Sequence, residues 1–314
     1  MPDLRAKLEL SPLGMGGSFY GLDHSKLEGE DDILAAWETA FALGIRHFDT
    51  ATGYGDGYSE RLLGRFLAGK RDRIFLASKA DLDTTSSQAI LEAIDASLER
   101  LQTDVIDLYY LHWSRTGKDM RPWMVGLETA RQQGKIRFIG VSNFSVVQMQ
   151  QLREVGQIDA CQMAYNLLWR FNERDILPYC RQLNIAVIAY SALAHGILSG
   201  KYPRELEFAP NEQRWSIRLF KPDAWSQVFE AVETFKQPAN SENLSLSHLA
   251  LRWLLHQASI STVLVSSKNK QQLLENQKAL ALEIPDRVFA ELTALSDRMI
   301  QVIPDDRDLF GYQP

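Results

Sequence analysis

Residues 105–164 read VIDLYYLHWSRTGKDMRPWMVGLETARQQGKIRFIGVSNFSVVQMQQLREVGQIDACQMA. Three short apolar runs, 105–111, 136–141 and 160–164, alternate with two amphipathic segments, 122–133 and 146–155. Near-continuous apolarity predicts strands buried on both faces, hence a parallel sheet covered by helices. Gly134 fits the C-terminal stop of the first helical segment. The same alternation extends outward. Upstream, strands are expected at 10–13, 45–49 and 74–78, with helices at 30–43, 59–67 (Ser59 as N-cap) and 87–101. Downstream, strands are expected at 185–189 and 262–265, with helices at 175–183, 225–235, 247–257 and 270–280 and an extra one at 285–297. Eight strands, each followed by a helix, in 314 residues predict an α/β fold. The expected architecture is a (β/α)8 TIM barrel forming one domain over 1–314, with an open doubly wound sheet as the alternative. The irregular stretch 191–222, with Pro203 and Pro210, is expected to be a long loop over the barrel mouth.

Composition excludes several classes. Lys plus Arg number 34 against 40 Asp plus Glu, a net charge of −6 with no basic stripe, which argues against nucleic-acid binding. The cluster Lys70-Arg71-Asp72-Arg73 reads as a solvated turn. No apolar run reaches the ~18 residues of a membrane span. Charges at Asp3, Arg5, Lys7 and Glu9 do not suit a signal peptide. Cys161 and Cys180 have no metal-binding spacing, so buried free thiols in a reducing, cytoplasmic setting are expected, with no metal. Gly14-Met15-Gly16-Gly17 resembles a dinucleotide fingerprint but places Phe19 at the third glycine position. The segment 196–202 imitates a phosphate-binding loop, yet is one residue short and ends in Tyr202.

Polar residues at strand ends are more informative, because the carboxyl ends of barrel strands face the active site. Asp49, Lys79 and His112 close three successive strands, and Tyr54 lies in the loop after Asp49. Singly, each has an ordinary reading: a turn cap, a surface lysine, a packed histidine, a loop anchor. Together they suit carbonyl reduction. A phenol of pKa about 10 is a poor proton donor near neutrality, and a neighbouring ammonium would lower it. A carboxylate would hold that ammonium, an imidazole would position the carbonyl oxygen, and Tyr54 would be the general acid.

The segments Gly44-Ile45-Arg46-His47-Phe48-Asp49-Thr50-Ala51 with Tyr54, Ser78-Lys79, Leu111-His112-Trp113, Ile139 to Phe144, Ala189 to Leu193, Gly196 to Lys201 and Gln272 with Glu275-Asn276 resemble the aldo-keto reductase superfamily in order and over about 5–297. The resemblance implies a barrel that holds a nicotinamide cofactor without a Rossmann domain. It implies a catalytic tetrad of Asp49, Tyr54, Lys79 and His112. Ser142, Asn143 and Gln162 would bind the carboxamide and Tyr190 would stack on the nicotinamide. Ser191, Leu193 and Gly196 would hold the pyrophosphate; Ser266, Lys268, Gln272, Glu275 and Asn276 would surround the adenosine. Two departures concern that last end: Val265-Ser266 stands where the family commonly has Pro and then Gly or Lys, and Gln272 where some branches have Arg.

Tyr20, Trp113, Phe310 and Tyr312 are expected as aromatic walls of the substrate pocket, the alternative for the last two being a pinned C-terminus. The reading is an NAD(P)H-dependent reductase of aldehydes or ketones, acting as a monomer on a small carbonyl or sugar. NADP(H) is expected over NAD(H) through Lys268. The alternatives are a sugar dehydrogenase using the same site oxidatively and a nucleotide-sensing regulatory subunit.

Overall fold

Strands apolar on both faces find burial on both sides only inside a layer of helices, and here they close on themselves. The structure is a computed structural model that describes residues 8, 10–18, 29–209, 212–303 and 309–310. Its strands are β1 (Leu13–Gly16), β2 (His47–Asp49), β3 (Phe75–Ala80), β4 (Ile106–Leu111), β5 (Ile136–Ser142), β6 (Ala160–Ala164), β7 (Ala186–Tyr190) and β8 (Thr262–Val265). All pair in parallel in chain order, and β1 pairs with both β2 and β8, which closes the barrel. Closure excludes the open sheet.

Around it lie α1 (Glu30–Ala42), α2 (Tyr58–Leu67), α3 (Ser87–Leu101), α4 (Arg121–Gln132), α5 (Val146–Leu152), α6 (Ile176–Gln182), α7 (Pro222–Ser241), α8 (Leu246–His256), α9 (Lys270–Lys278) and α10 (Asp286–Met299). The stretch between β7 and α7 forms short 3-10 turns rather than one open loop. Among the described residues no helix is long and apolar enough to cross a membrane, and no group of three or more His, Cys, Asp or Glu could hold a metal ion.

Successive strand residues face opposite sides. Phe75, Ala77, Leu108, Tyr110, Ala160, Ala186, Ile188 and Leu264 form the inner core. Continuing each strand by two residues brings Lys79, Gln162, Tyr190 and Ser266 inward at the carboxyl-terminal rim. Gly140 makes room for this layer: a Cβ there would sit 2.3 Å from the Tyr110 ring. The outer core lies between strands and helices, as where Phe48 of β2 meets Phe66 of α2 at 4.9 Å between ring centroids.

The structure corrects four local expectations. The first strand is 13–16, not 10–13, because Leu8 and Leu10 pack into the inner core instead of pairing in the sheet. Ser59 does not cap α2; Gly57 precedes that helix, and buried Ser59 donates to the Gly17 carbonyl at 3.0 Å. Lys79 lies within β3 rather than after it. Arg71 is not merely solvated: it pairs with buried Asp107 at 2.8 Å. Cys161 and Cys180 are buried free thiols.

Candidate active site

Asp49 and Lys79 form an ion pair at the inner rim, with side chains 3% and 0% exposed. Lys79 Nζ also donates to the Thr50 carbonyl at 2.7 Å, and Gln162 Nε2 donates to Asp49 Oδ2 at 2.9 Å. Burying two charges is costly unless both are paired and further hydrogen-bonded. Both conditions hold here, so the pair is fixed in place. Beneath it, His47 is fully buried with neither ring nitrogen hydrogen-bonded. Burial pushes that imidazole down to about 4; Lys79 adds to the effect and Asp49 opposes it.

Tyr54 comes from the loop between β2 and α2. Lys79 Nζ lies 5.1 Å from the centroid of its ring, and His112, which follows β4, meets the ring edge-on at 5.7 Å. Asp49, Tyr54, Lys79 and His112 are thus brought together. The electrostatics differ from the sequence-based expectation. Burial pushes the Tyr54 phenol well above its ordinary range, and the carboxylates of Asp49 and Asp81 push it the same way. Asp49 offsets much of the Lys79 ammonium, and what remains does not outweigh burial in the resting site. In this state Tyr54 holds its proton.

Asp81 was not singled out from sequence. Its Oδ2 lies 2.8 Å from His112 Nδ1. The signal was present: Asp81 follows Lys79 by two residues, so strand alternation carries it to the same side. Burial lowers the His112 imidazole; the Asp81 hydrogen bond and charge oppose this, and Lys79 works with burial.

A cavity of about 1180 Å³ runs from Tyr54 and His112 to Lys268 and Asn276. That exceeds the ~300–1,000 Å³ of a small-ligand site and leaves room for an extended ligand beside a substrate. At its inner end Tyr190 donates to Asn143 Oδ1 at 2.6 Å, and Asn143 Nδ2 donates to Ser142 Oγ at 3.0 Å and to the His112 carbonyl at 3.2 Å. Further along, Ser191, Ala194, His195 and Gly196 all have positive φ. The backbone N–H groups of Ala192 and Leu193 find no partner among the described residues. Such unsatisfied donors in a sharply turned segment suit an anion. At the far end, the Gln272 side chain accepts from the Lys268 backbone at 2.9 Å, Lys268 is exposed, and Asn276 Nδ2 meets Ser267 Oγ at 3.3 Å. Ser266 and Glu275 line the same end, with Glu275 paired to Lys278. Phe310 packs edge-on against Trp113 at 5.9 Å and stacks on Tyr190 at 6.1 Å, so the described tail aromatic belongs to the pocket wall. Tyr20 and Tyr312 lie outside the described residues.

The family model described as Aldo/keto reductase family matches residues 12–297. This chain belongs to the aldo/keto reductase family. It is 36% identical to the methylglyoxal reductase YeaE of Escherichia coli over 263 residues, 81% of this chain and 90% of that protein. It is 28% identical over 307 residues to an NADH-specific methylglyoxal reductase of Escherichia coli, covering 89% of this chain and 92% of that one. Among solved structures it resembles a glycerol dehydrogenase from Gluconobacter oxydans, with a TM-score of 0.81, 28% identity and coverage of 95% and 94%. The aldo/keto reductase barrel read from the sequence is therefore the fold of this oxidoreductase family.

Proposed function

We propose that this aldo/keto reductase reduces small aldehydes or ketones to alcohols, with Tyr54 giving the proton. The observation that carries the reading is the meeting of Tyr54, His112 and the buried Asp49–Lys79 pair at one end of a cleft long enough for a dinucleotide. The cleft fits such a cofactor by its own features: unpartnered N–H groups at Ala192 and Leu193 suit the pyrophosphate, and the Asn143–Ser142 pair suits a carboxamide. When bound, a reduced nicotinamide supplies the hydride. Tyr54 keeps its proton until oxyanion charge develops on the substrate, then transfers it as general acid. Lys79, held by Asp49 and the Thr50 carbonyl, steadies the phenolate left behind. Trp113 and Phe310 wall the carbonyl away from water.

NADP(H) is the preferred cofactor in this proposal. Lys268, exposed at the adenosine end, would meet the 2′-phosphate, although one relative is NADH-specific by name. The structural likeness to a glycerol dehydrogenase supports a second reading, the same site run toward alcohol oxidation. The test is turnover of a panel of small aldehydes, ketones, sugars and polyols with each cofactor. A chain that binds the dinucleotide tightly but turns over none of them would be a sensor, and the reductase reading would fall.

A further inference from the structure

We propose that Asp81 is a positioning residue that fixes His112 as its Nδ1–H tautomer, leaving Nε2 as a hydrogen-bond acceptor for a hydroxyl in the pocket. The argument starts from geometry. Asp81 Oδ2 and His112 Nδ1 are 2.8 Å apart, and His112 Nε2 has no partner among the described residues. A carboxylate only accepts hydrogen bonds, so in a neutral imidazole bonded to it the proton must sit on Nδ1. Burial pushes the Asp81 carboxyl up, but the hydrogen bond and charge of His112, with Lys79 and Arg115, outweigh this and keep it below the usual carboxylate range. It is therefore ionised at neutral pH. His112 lines the cavity, and the ring nitrogen remaining to it is Nε2.

A second feature protects the contact. A Cβ at Gly53 would stand 2.4 Å from Asp81 Oδ2, so only glycine at 53 lets the carboxylate sit where His112 meets it. The loop leaving β2 and the end of β3 are thus cut to fit one another. Around His112 the charged and titratable groups are Asp81, Lys79 and Asp49, with the Tyr54 ring on its edge. Among the described residues no other charge competes for Nδ1.

The consequence is a reversal of roles. Neutral His112 presents a lone pair and cannot donate to a carbonyl oxygen; it can accept from an alcohol. Only the imidazolium donates. Resting on the reductase reading above, this makes carbonyl reduction gain at lower pH as His112 takes a proton, while alcohol oxidation favours the neutral ring. The difference is one charge-assisted hydrogen bond from the imidazolium, about 10- to 150-fold in rate.

The experiment reads the tautomer directly, without turnover. The full chain is labelled with ¹⁵N-histidine and the His112 ring nitrogens are assigned by their loss in His112→Gln. Above the titration, wild type should show a protonated Nδ1 and an unprotonated Nε2. Gly53→Ala keeps both partners but displaces the carboxylate, and Asp81→Ala removes it; both should move the proton to Nε2, the preferred tautomer of a free imidazole. In both variants the rise of reduction toward low pH should flatten. A wild type already protonated at Nε2, or variants with the wild-type tautomer, would overturn the proposal. Absence of any turnover with a normal tautomer would instead overturn the reductase reading.

Discussion

Lys79→Met removes one side of the buried ion pair and nothing else of comparable size. Lys79 is wholly buried and donates to Asp49 and to the Thr50 carbonyl. With methionine there, Asp49 stays buried and keeps only the Gln162 hydrogen bond, at 2.9 Å. Orphaning one member of a buried pair costs about 3–5 kcal/mol. The unfolding entropy of a 314-residue chain, at about 2.1 cal/mol/K per residue, is about 0.66 kcal/mol/K. The midpoint should therefore fall by about 5–8 °C in scanning calorimetry at a fixed scan rate. Asp49→Asn in the same chain discharges the orphan, so the double variant should recover more than about 1 kcal/mol of the loss. Activity should separate from stability: reduction collapses in Lys79→Met and stays collapsed in the double variant, whereas Asp49→Asn alone is milder because the ammonium remains. A Lys79→Met midpoint within a degree of wild type, or a double variant less stable than Lys79→Met, would refute the reasoning.

Three further outcomes are expected. Tyr54→Phe should lower turnover by at least ~100-fold while cofactor affinity, read by fluorescence titration, is nearly kept; a variant retaining most of the rate would remove Tyr54 from the proton transfer. His47 stays neutral in the fold down to about pH 4. The unfolded chain takes that proton near 6.5, so between these values the unfolded state binds more protons and stability falls with falling pH, by up to about 1.4 kcal/mol per pH unit. His47→Leu should flatten that part of the stability curve, and an unchanged curve would contradict the burial argument. Lys268→Ala should weaken NADP(H) by about tenfold at fixed salt and leave NAD(H) nearly unchanged; equal loss for both would show that Lys268 does not read the phosphate.

The proton on Tyr54 shows where reading the chain alone stopped. Its neighbours Lys79 and Asp49 are both legible in the chain, and the ammonium alone would lower the phenol. Only the folded structure shows Asp49 pairing with that charge, Asp81 close by and the phenol half-buried, and these push the proton onto oxygen. The Asp81–His112 contact was missed for a related reason. Strand alternation places Asp81 beside Lys79 in rank, but whether it reaches the next strand's histidine depends on the loop at Gly53.

What the sequence by itself determined was local: apolar runs that need burial on two faces, helices between them, glycines that stop helices, and polar residues at strand ends. These depend on neighbours a few positions away, and they carried the barrel class, most element positions and the four residues that the fold brings together. The tertiary structure decided what depends on closure and distance. The join of β1 to β8 fixed where the first strand begins, because Leu8 and Leu10 are drawn into the inner core rather than the sheet. The same closure pressed Asp49, Lys79 and Gln162 into one dry layer. The proton on Tyr54 follows from that layer and the tautomer of His112 from the Asp81 contact, since desolvation and the pairing of charges exist only once residues far apart in sequence share the same space.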